Sequence, residues 1–420
     1  MWAASLGAAI VTSGVQGIAP AIPVIQDHFG LSDAQVALVT SMYLLPGIFS
    51  AFLAGLLADR LGERVVFVGS LVLYGASAGL LLFDPSFGLV LVARFIQGVS
   101  FGAVMSQSVG LIGSVAPTGA EAARGQSRRI ISMAASEAVF PVLAGAILAV
   151  SWFAPFALQL IAIPIGVLAW FWMPKENVRA RRAAGKRPPV SSLAHEPALI
   201  WVQILAALRF IFKFAVMTYY PVLAVNVVGM SPAAVGYAVG ACGLLAAVAA
   251  ALTEKLAGRW RSSQLIGGCL AAIVVCCALI GLGGNAWLIT LGLCLYGIQD
   301  GVYGVSHNVL VTEMAPKDLR QTYVGLTGTV RNVGKFVAPL MFGAATLALS
   351  IAQSFVALAA VGVVSVEASR RVLQAQRRME TAEVAERPAD GSVLQPPVGE
   401  PAVRGEGRDP GGADGRGRSS

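Results

Sequence analysis

Charge is what this chain has least of: Asp, Glu, Lys and Arg make up 12% of its 420 residues, about half the ~25% usual in a soluble domain. That leaves too little polar surface to cover a water-facing body. One core cannot absorb the 56% hydrophobic residues either, because soluble cores stop growing beyond roughly 250–300 residues. The surplus faces lipid, which excludes a cytosolic enzyme, a secreted domain and a nucleic-acid binder despite the net charge of +8. Histidine is nearly missing, with three residues, and the five cysteines (Cys242, Cys269, Cys276, Cys277, Cys294) lie inside apolar runs without His at metal-ligand spacing. They read as small apolar helix residues, with no disulfide framework and no metal site. No Ser-His-Asp set and no nucleotide-binding glycine loop occurs, so neither an enzyme nor a cofactor is expected. The first apolar run lacks a basic segment before it, so no cleavable signal peptide is expected.

What is present is long, continuous apolar sequence such as 65–83 and 266–282, unlike the alternating strands of a membrane barrel. Twelve runs are long enough to cross about 30 Å of hydrocarbon. They lie near 3–24, 34–58, 64–83, 86–115, 128–150, 153–173, 198–226, 233–256, 263–283, 286–314, 322–347 and 350–369. Backbone in lipid must satisfy itself, so these are helices. The basic residues test the count. All but five of the 30 Lys and Arg fall in the loops after even-numbered runs, at the run ends beside those loops, or in the tail, and the loops after odd-numbered runs hold none. Cytoplasmic loops collect Lys and Arg, which places both termini in the cytoplasm. The expected architecture is an all-α integral membrane protein of twelve transmembrane helices in two pseudo-symmetric six-helix bundles. Its parts are a first bundle (1–174), a basic cytoplasmic linker (175–197), a second bundle (198–371) and a disordered tail (372–420) too polar to bury a core.

The bundles are related by a repeat. A shift of 199 residues places Gly30-Leu31-Ser32 on Gly229-Met230-Ser231, Gly98 and Gly102 on Gly297 and Gly301, and Ala116-Pro117 on Ala315-Pro316. A shift of 198 brings Pro141 and Gly145 onto Pro339 and Gly343. Between the second and third runs stands Gly55-Leu-Leu-Ala-Asp59-Arg60-Leu-Gly62-Glu-Arg64, and the fourth run carries Arg94-Phe-Ile-Gln97-Gly98. With two six-helix repeats joined by a basic loop, these motifs resemble those of the major facilitator superfamily over residues 1–370. The resemblance implies a transporter working by alternating access, with Gly55, Asp59, Arg60, Gly62 and Arg64 as a conformational latch. Gly258 stands where the repeat would have Asp59, so the latch is expected to be one-sided. In the fifth run, 136–145 keeps only Pro141 and Gly145 of the glycine pattern of that superfamily's proton-coupled drug exporters.

Seven charges lie within the runs away from their ends: Arg94, Glu137, Arg209, Lys213, Asp300, Arg331 and Lys335. Each costs about 2.5–3.5 kcal/mol at a helix centre, so each needs a partner or a purpose. Arg209 and Lys213 are four apart, hence on one helix face, and Arg331 and Lys335 repeat that spacing. Five cations against two carboxylates suit an anion, so Lys213, Lys335, Arg209, Arg331 and Gln97 are the substrate-binding candidates. Asp300, Glu137, His307 and Arg94 are the proton-coupling candidates, with His307 roughly on the face of Asp300 two turns on. The expected function is secondary transport of a small anionic or amphiphilic organic solute, with proton-coupled export first. Import of an organic anion or metal chelate, or a non-transporting scaffold or sensor on the same fold, are the alternatives. The expected partners are that solute, the proton and the bilayer, for a monomer in a bacterial inner membrane.

Overall fold

The structure, a computed structural model, describes residues 1–115, 119–173, 197–257, 259–314 and 320–385. In the first half, α1 (Trp2–Gln16) and α2 (Ile22–Phe29) are joined by a tight turn at Ala19–Ala21 and make one crossing. The second crossing is α3 (Asp33–Leu44) and α4 (Gly47–Leu61), divided at Pro46, whose missing N–H interrupts the ladder. Then follow α5 (Glu63–Gly79), α6 (Phe87–Val115), α7 (Gly119–Ile147), and the sixth crossing of α8 (Ala154–Ala157) and α9 (Ala162–Trp172). The second half holds α10 (Pro197–Val222), α11 (Pro232–Ala257), α12 (Ser262–Leu282), α13 (Ala286–Met314), α14 (Arg320–Ala345) and α15 (Ile351–Ala385).

Among the described residues, eleven of these crossings are long and apolar enough to span a membrane by composition alone. The twelfth is α14, of equal length but carrying Gln203-bound Thr327, Arg331, Asn332 and Lys335. Those polar groups point at neighbouring helices and not at lipid, so the helix crosses without meeting the composition that a lipid-surrounded helix needs. The outward surface is apolar, with Phe83, Phe171 and Trp287 among its most exposed side chains, near helix ends where aromatics favour the membrane interface. The 175–196 part of the expected linker, residue 174 before it, and the chain past 385 lie outside the described residues. α15 continues to Ala385, beyond the point near 371 where the composition turns polar. Glu367 pairs there with Arg371 at 3.4 Å, one helical turn on.

The repeat read from the sequence is visible as geometry. Gly30 and Gly229 both adopt left-handed backbone, φ +61° and +77°. Ser32 and Ser231, two residues on, each accept a backbone N–H at the start of the next helix. The halves meet along two related seams. Gly145 and Gly236 bring α7 and α11 together, since a β-carbon at Gly236 would come 2.5 Å from the Pro141 carbonyl oxygen. Gly343 of α14 lies against Ala34 and Ala37 of α3, where Tyr219 of α10 also donates to the Asp33 carbonyl at 2.8 Å. Both seams run inward from the Lys- and Arg-free end, as far as Glu137 on one side and Asn332, which donates to the Gly47 carbonyl, on the other.

Candidate functional site

Four charges meet at the inner end of the α7–α11 seam. Arg209 Nε donates to Asp300 Oδ1 at 2.9 Å, and its Nη2 reaches the Asp300 carbonyl at 3.3 Å. Lys213 Nζ, one turn along α10, lies 3.2 Å from Asp300 Oδ2 and 3.4 Å from Glu137 Oε2. The side chains of Asp300 and Lys213 are only 6% and 13% exposed, so the charges are worth far more to one another than they would be in water. Gln16 closes the group. With its amide turned so that both atoms find partners, it donates to Glu137 Oε2 and accepts from Lys213, each at 3.2 Å. The quartet sums to zero charge, and Lys213 joins Glu137 of the first half to Asp300 of the second.

Glycines make the room. A β-carbon at Gly304 would lie 2.6 Å from Arg209 Nη2, so its absence lets the guanidinium lie flat on α13. Gly301 serves packing instead, with the Ala246 carbonyl oxygen 2.1 Å from the position of its missing β-carbon. Beside the quartet opens a small cleft lined by Gln16, Glu137, Lys213, Tyr296 and Asp300, with Met217 and Val239 among its apolar walls. The Tyr296 hydroxyl is buried there without a hydrogen-bond partner among the described residues.

The other candidates lie elsewhere. Arg94 is fully buried inside the first half, donating to the Val39 carbonyl (3.1 Å), Gln97 Oε1 (2.8 Å) and the Gly14 carbonyl (2.5 Å). Its guanidinium also stacks over Tyr43, 4.4 Å from the ring centroid. Gln97 passes the network on to Gln159 at 2.8 Å. Arg94 and Gln97 therefore tie α1, α3 and α6 to the turn at 158–161, and neither lines the cleft. His307 bonds the Val202 carbonyl through Nε2 at 3.1 Å, and Arg331 Nη2 faces its Nδ1 at 3.0 Å. Arg331 is always a donor, so Nδ1 accepts and the ring proton sits on Nε2. Both ring nitrogens are thus engaged away from Asp300, two turns (~10 Å) down the same helix.

Arg331 also donates to Asn308 Oδ1 at 2.7 Å, and Lys335 to Asn332 Oδ1 at 3.1 Å. Neither meets a carboxylate among the described residues. Lys335 Nζ lies between two aromatic faces, 4.9 Å from the Phe210 centroid and 5.5 Å from that of Phe101. In the latch motif, Gly62 ends α4 at φ +92°, a conformation that favours glycine. Arg60 is exposed at the end of α4. Arg64 stacks on Trp170 of α9 and donates to its carbonyl. The Asp59 side chain lies outside the described residues. Gln16, Tyr296 and Phe210 have no counterpart among the sequence-derived candidates. Gln16 and Tyr296 were detectable only as polar interruptions of apolar runs, and Phe210 carried no signal beyond standing next to Arg209.

Comparisons with known proteins bear on the family and the fold. The Quinolone resistance protein NorA of Staphylococcus aureus (strain MRSA252) is 28% identical over 109 residues, 26% of this chain and 28% of NorA, so the chain spans only about a quarter of that relative. The Multidrug efflux protein YfmO of Bacillus subtilis (strain 168) is 24% identical over 351 residues, 82% of this chain and 85% of YfmO. Among solved structures, a bacterial homolog of the human lysosomal transporter Spinster, inward-facing and unoccupied, superposes with a TM-score of 0.75 at 14% identity, covering 89% of this chain and 97% of that one. A D-xylose-proton symporter does so at 0.69 and 15%, over 88% and 96%. The model of the Major Facilitator Superfamily matches residues 4–339. Matched over most of its length and folded as those transporters are, the chain is a multi-pass membrane protein that belongs to the Major Facilitator Superfamily, a family of transporters and not of enzymes.

Proposed function

We propose that the chain is a proton-coupled exporter of a small anionic or amphiphilic organic solute, working by alternating access. One observation carries the reading: the neutral quartet of Arg209, Lys213, Asp300 and Glu137 stands beside a cleft where the two halves meet. Lys213 is shared between a carboxylate of each half, so a proton arriving on Glu137 removes one of its two ionic partners. Breaking a charge-pair link between halves changes the relative free energy of the two access states, which is what coupling requires. The relatives named for quinolone resistance and multidrug efflux support the outward direction.

The test uses everted membrane vesicles containing the chain, an acid-inside pH gradient and a panel of labelled organic anions and amphiphilic dyes. Uptake of at least one probe is expected only with the gradient. Asp300→Asn and Glu137→Gln should lose gradient-driven uptake while retaining exchange of labelled for unlabelled probe, because a neutral side chain cannot cycle a proton. Wild-type accumulation by both variants would remove these carboxylates from coupling.

The two bundles are proposed to move as bodies about this site, biased by the latch of Gly55, Asp59, Arg60, Gly62 and Arg64. Asp59→Asn is expected to slow transport at an unchanged amount of folded protein. The Lys- and Arg-rich loops support cytoplasmic termini, and the bacterial relatives support a bacterial inner membrane. Cysteines substituted at Asp33, Ser151 or Ser231 should react with an impermeant thiol reagent from outside, and ones at Gly185 or Lys317 should not.

A further inference from the structure

An ammonium offers three N–H donors and a guanidinium five, and a buried donor left unmet is costly. Acceptor counts and carboxylate partners taken together therefore show which of the central cations can still receive an anion. Lys213 is full, with Asp300, Glu137 and Gln16 taking its three donors. Arg209 is committed to Asp300 through two nitrogens, and Arg94 spends three on carbonyl and amide oxygens. The face of α14 differs. Lys335 meets a single acceptor, Asn332 Oδ1, whose amide is itself fixed by donating across the seam to the Gly47 carbonyl. Arg331 uses Nη2 for both its partners and leaves Nε buried without one.

These two cations are one turn apart on one helix face, where like charges repel, and no carboxylate meets them among the described residues. Phe210 presents its ring to both, with Arg331 Cζ at 6.0 Å and Lys335 Nζ at 4.9 Å from the centroid, and Arg209 of the quartet lies 5.1 Å from the same centroid. Phe101 of the first half faces Lys335 from α6 at 5.5 Å. The result is a pair of cations without a direct carboxylate partner among the described residues, set among aromatic faces where the halves meet.

We infer that Arg331 and Lys335, and not Lys213 of the neighbouring quartet, form the binding site for the carboxylate of an aromatic solute, whose flat ring lies against Phe210 and Phe101. An incoming carboxylate supplies the acceptors that Arg331 Nε and Lys335 Nζ lack and cancels their mutual repulsion. Its ring replaces weak cation–ring contacts by ring–ring stacking. This inference rests on the transport reading and names the solute class and the cations that would hold it.

The experiment is equilibrium binding of radiolabelled 2-naphthoate, and of its neutral counterpart 2-naphthamide, to the purified full-length protein in detergent with no pH gradient. Wild type should prefer naphthoate by tenfold or more, a comparison that needs no variant to fold. Lys335→Gln and Arg331→Gln should each weaken naphthoate by roughly ten- to a hundredfold, the scale of a hydrogen bond to a charged group, and leave naphthamide unchanged. Lys335→Arg, which keeps charge and donors, should retain most of the preference. Equal binding of the two probes to wild type overturns the inference. So does loss of naphthoate binding in the paired variant Lys213→Gln with Glu137→Gln while the α14 variants bind normally, since the anion would then belong to the quartet. Tight naphthoate binding without gradient-driven vesicle uptake would sink the transport reading alone. Gradient-driven uptake of a cationic dye, without a naphthoate preference, would sink this inference alone.

Discussion

In the first half, a β-carbon on Gly98 would come 2.1 Å from the Tyr43 carbonyl oxygen; in the second, one on Gly297 would come 2.4 Å from that of Cys242. Gly102 and Gly301, one turn on, are equally tight, against Ser50 and against the Ala246 carbonyl. The two halves thus use the same glycines to bring the fourth and tenth crossings onto their neighbours. Their buried charges follow no such symmetry. The first half holds Arg94 among carbonyls and amides with no carboxylate partner, whereas the second holds an arginine, a lysine and an aspartate in direct ion pairs. Under the repeat, Glu137 corresponds to Lys335, an anion to a cation. Close helix packing is a constraint that both copies inherit. The charges are free to diverge once the scaffold is fixed, and a solute without twofold symmetry requires that they do.

Breaking the shared part should have the largest effect. Gly98→Val and Gly297→Val each force side-chain atoms into backbone that cannot yield, so both are expected to abolish folded protein, measured as monodisperse material on size-exclusion chromatography. If one half tolerates its valine and the other does not, the packing equivalence fails.

Breaking the unshared part comes next. Lys213→Gln leaves Glu137 without its cation and Asp300 with one, and removal of one partner from a buried pair costs about 3–5 kcal/mol. A marked fall in melting temperature is expected, with substantial recovery when Glu137→Gln is added. Lys335→Gln, at a site with no carboxylate, should leave the melting temperature unchanged or raise it by relieving repulsion with Arg331. Equal losses for the two lysines would mean that they play the same structural part.

The smallest effect sharpens the comparison from the other side. Gly55 belongs to the motif that carries the family resemblance, yet a β-carbon there would meet nothing within 4 Å. Gly55→Ala, inside α4, should therefore be neutral or stabilise by about 0.4–1 kcal/mol, in contrast to Gly98. A strong destabilisation would show that the motif glycine is needed for close contact.

Much of the scaffold could be read from the chain. Apolar runs at 263–283 and 286–314 became α12 and α13 almost residue for residue, because a helix in lipid must satisfy its backbone locally and its ends are set by where the apolar sequence stops. The eleventh run was legible from loop charges although α14 is too polar to qualify by composition. The site was legible only as a set of suspects. Arg209–Lys213 and Arg331–Lys335 have identical spacing, and nothing in that spacing says that one lysine is saturated and the other is not. His307 shares a helix with Asp300 and stands among the proton-coupling candidates, yet spacing alone does not say that its ring bonds Val202 and Arg331.

What the sequence determined by itself was therefore the solvent, the helix count and the repeat: these depend on local composition and on spacing along one chain. Tertiary structure alone decided the electrostatics. Lys213 finds Glu137 across 76 residues and Arg209 finds Asp300 across 91. Such pairs arise from which helix faces come together, and in a low-dielectric interior that choice decides which charges are satisfied and which keep unmet donors.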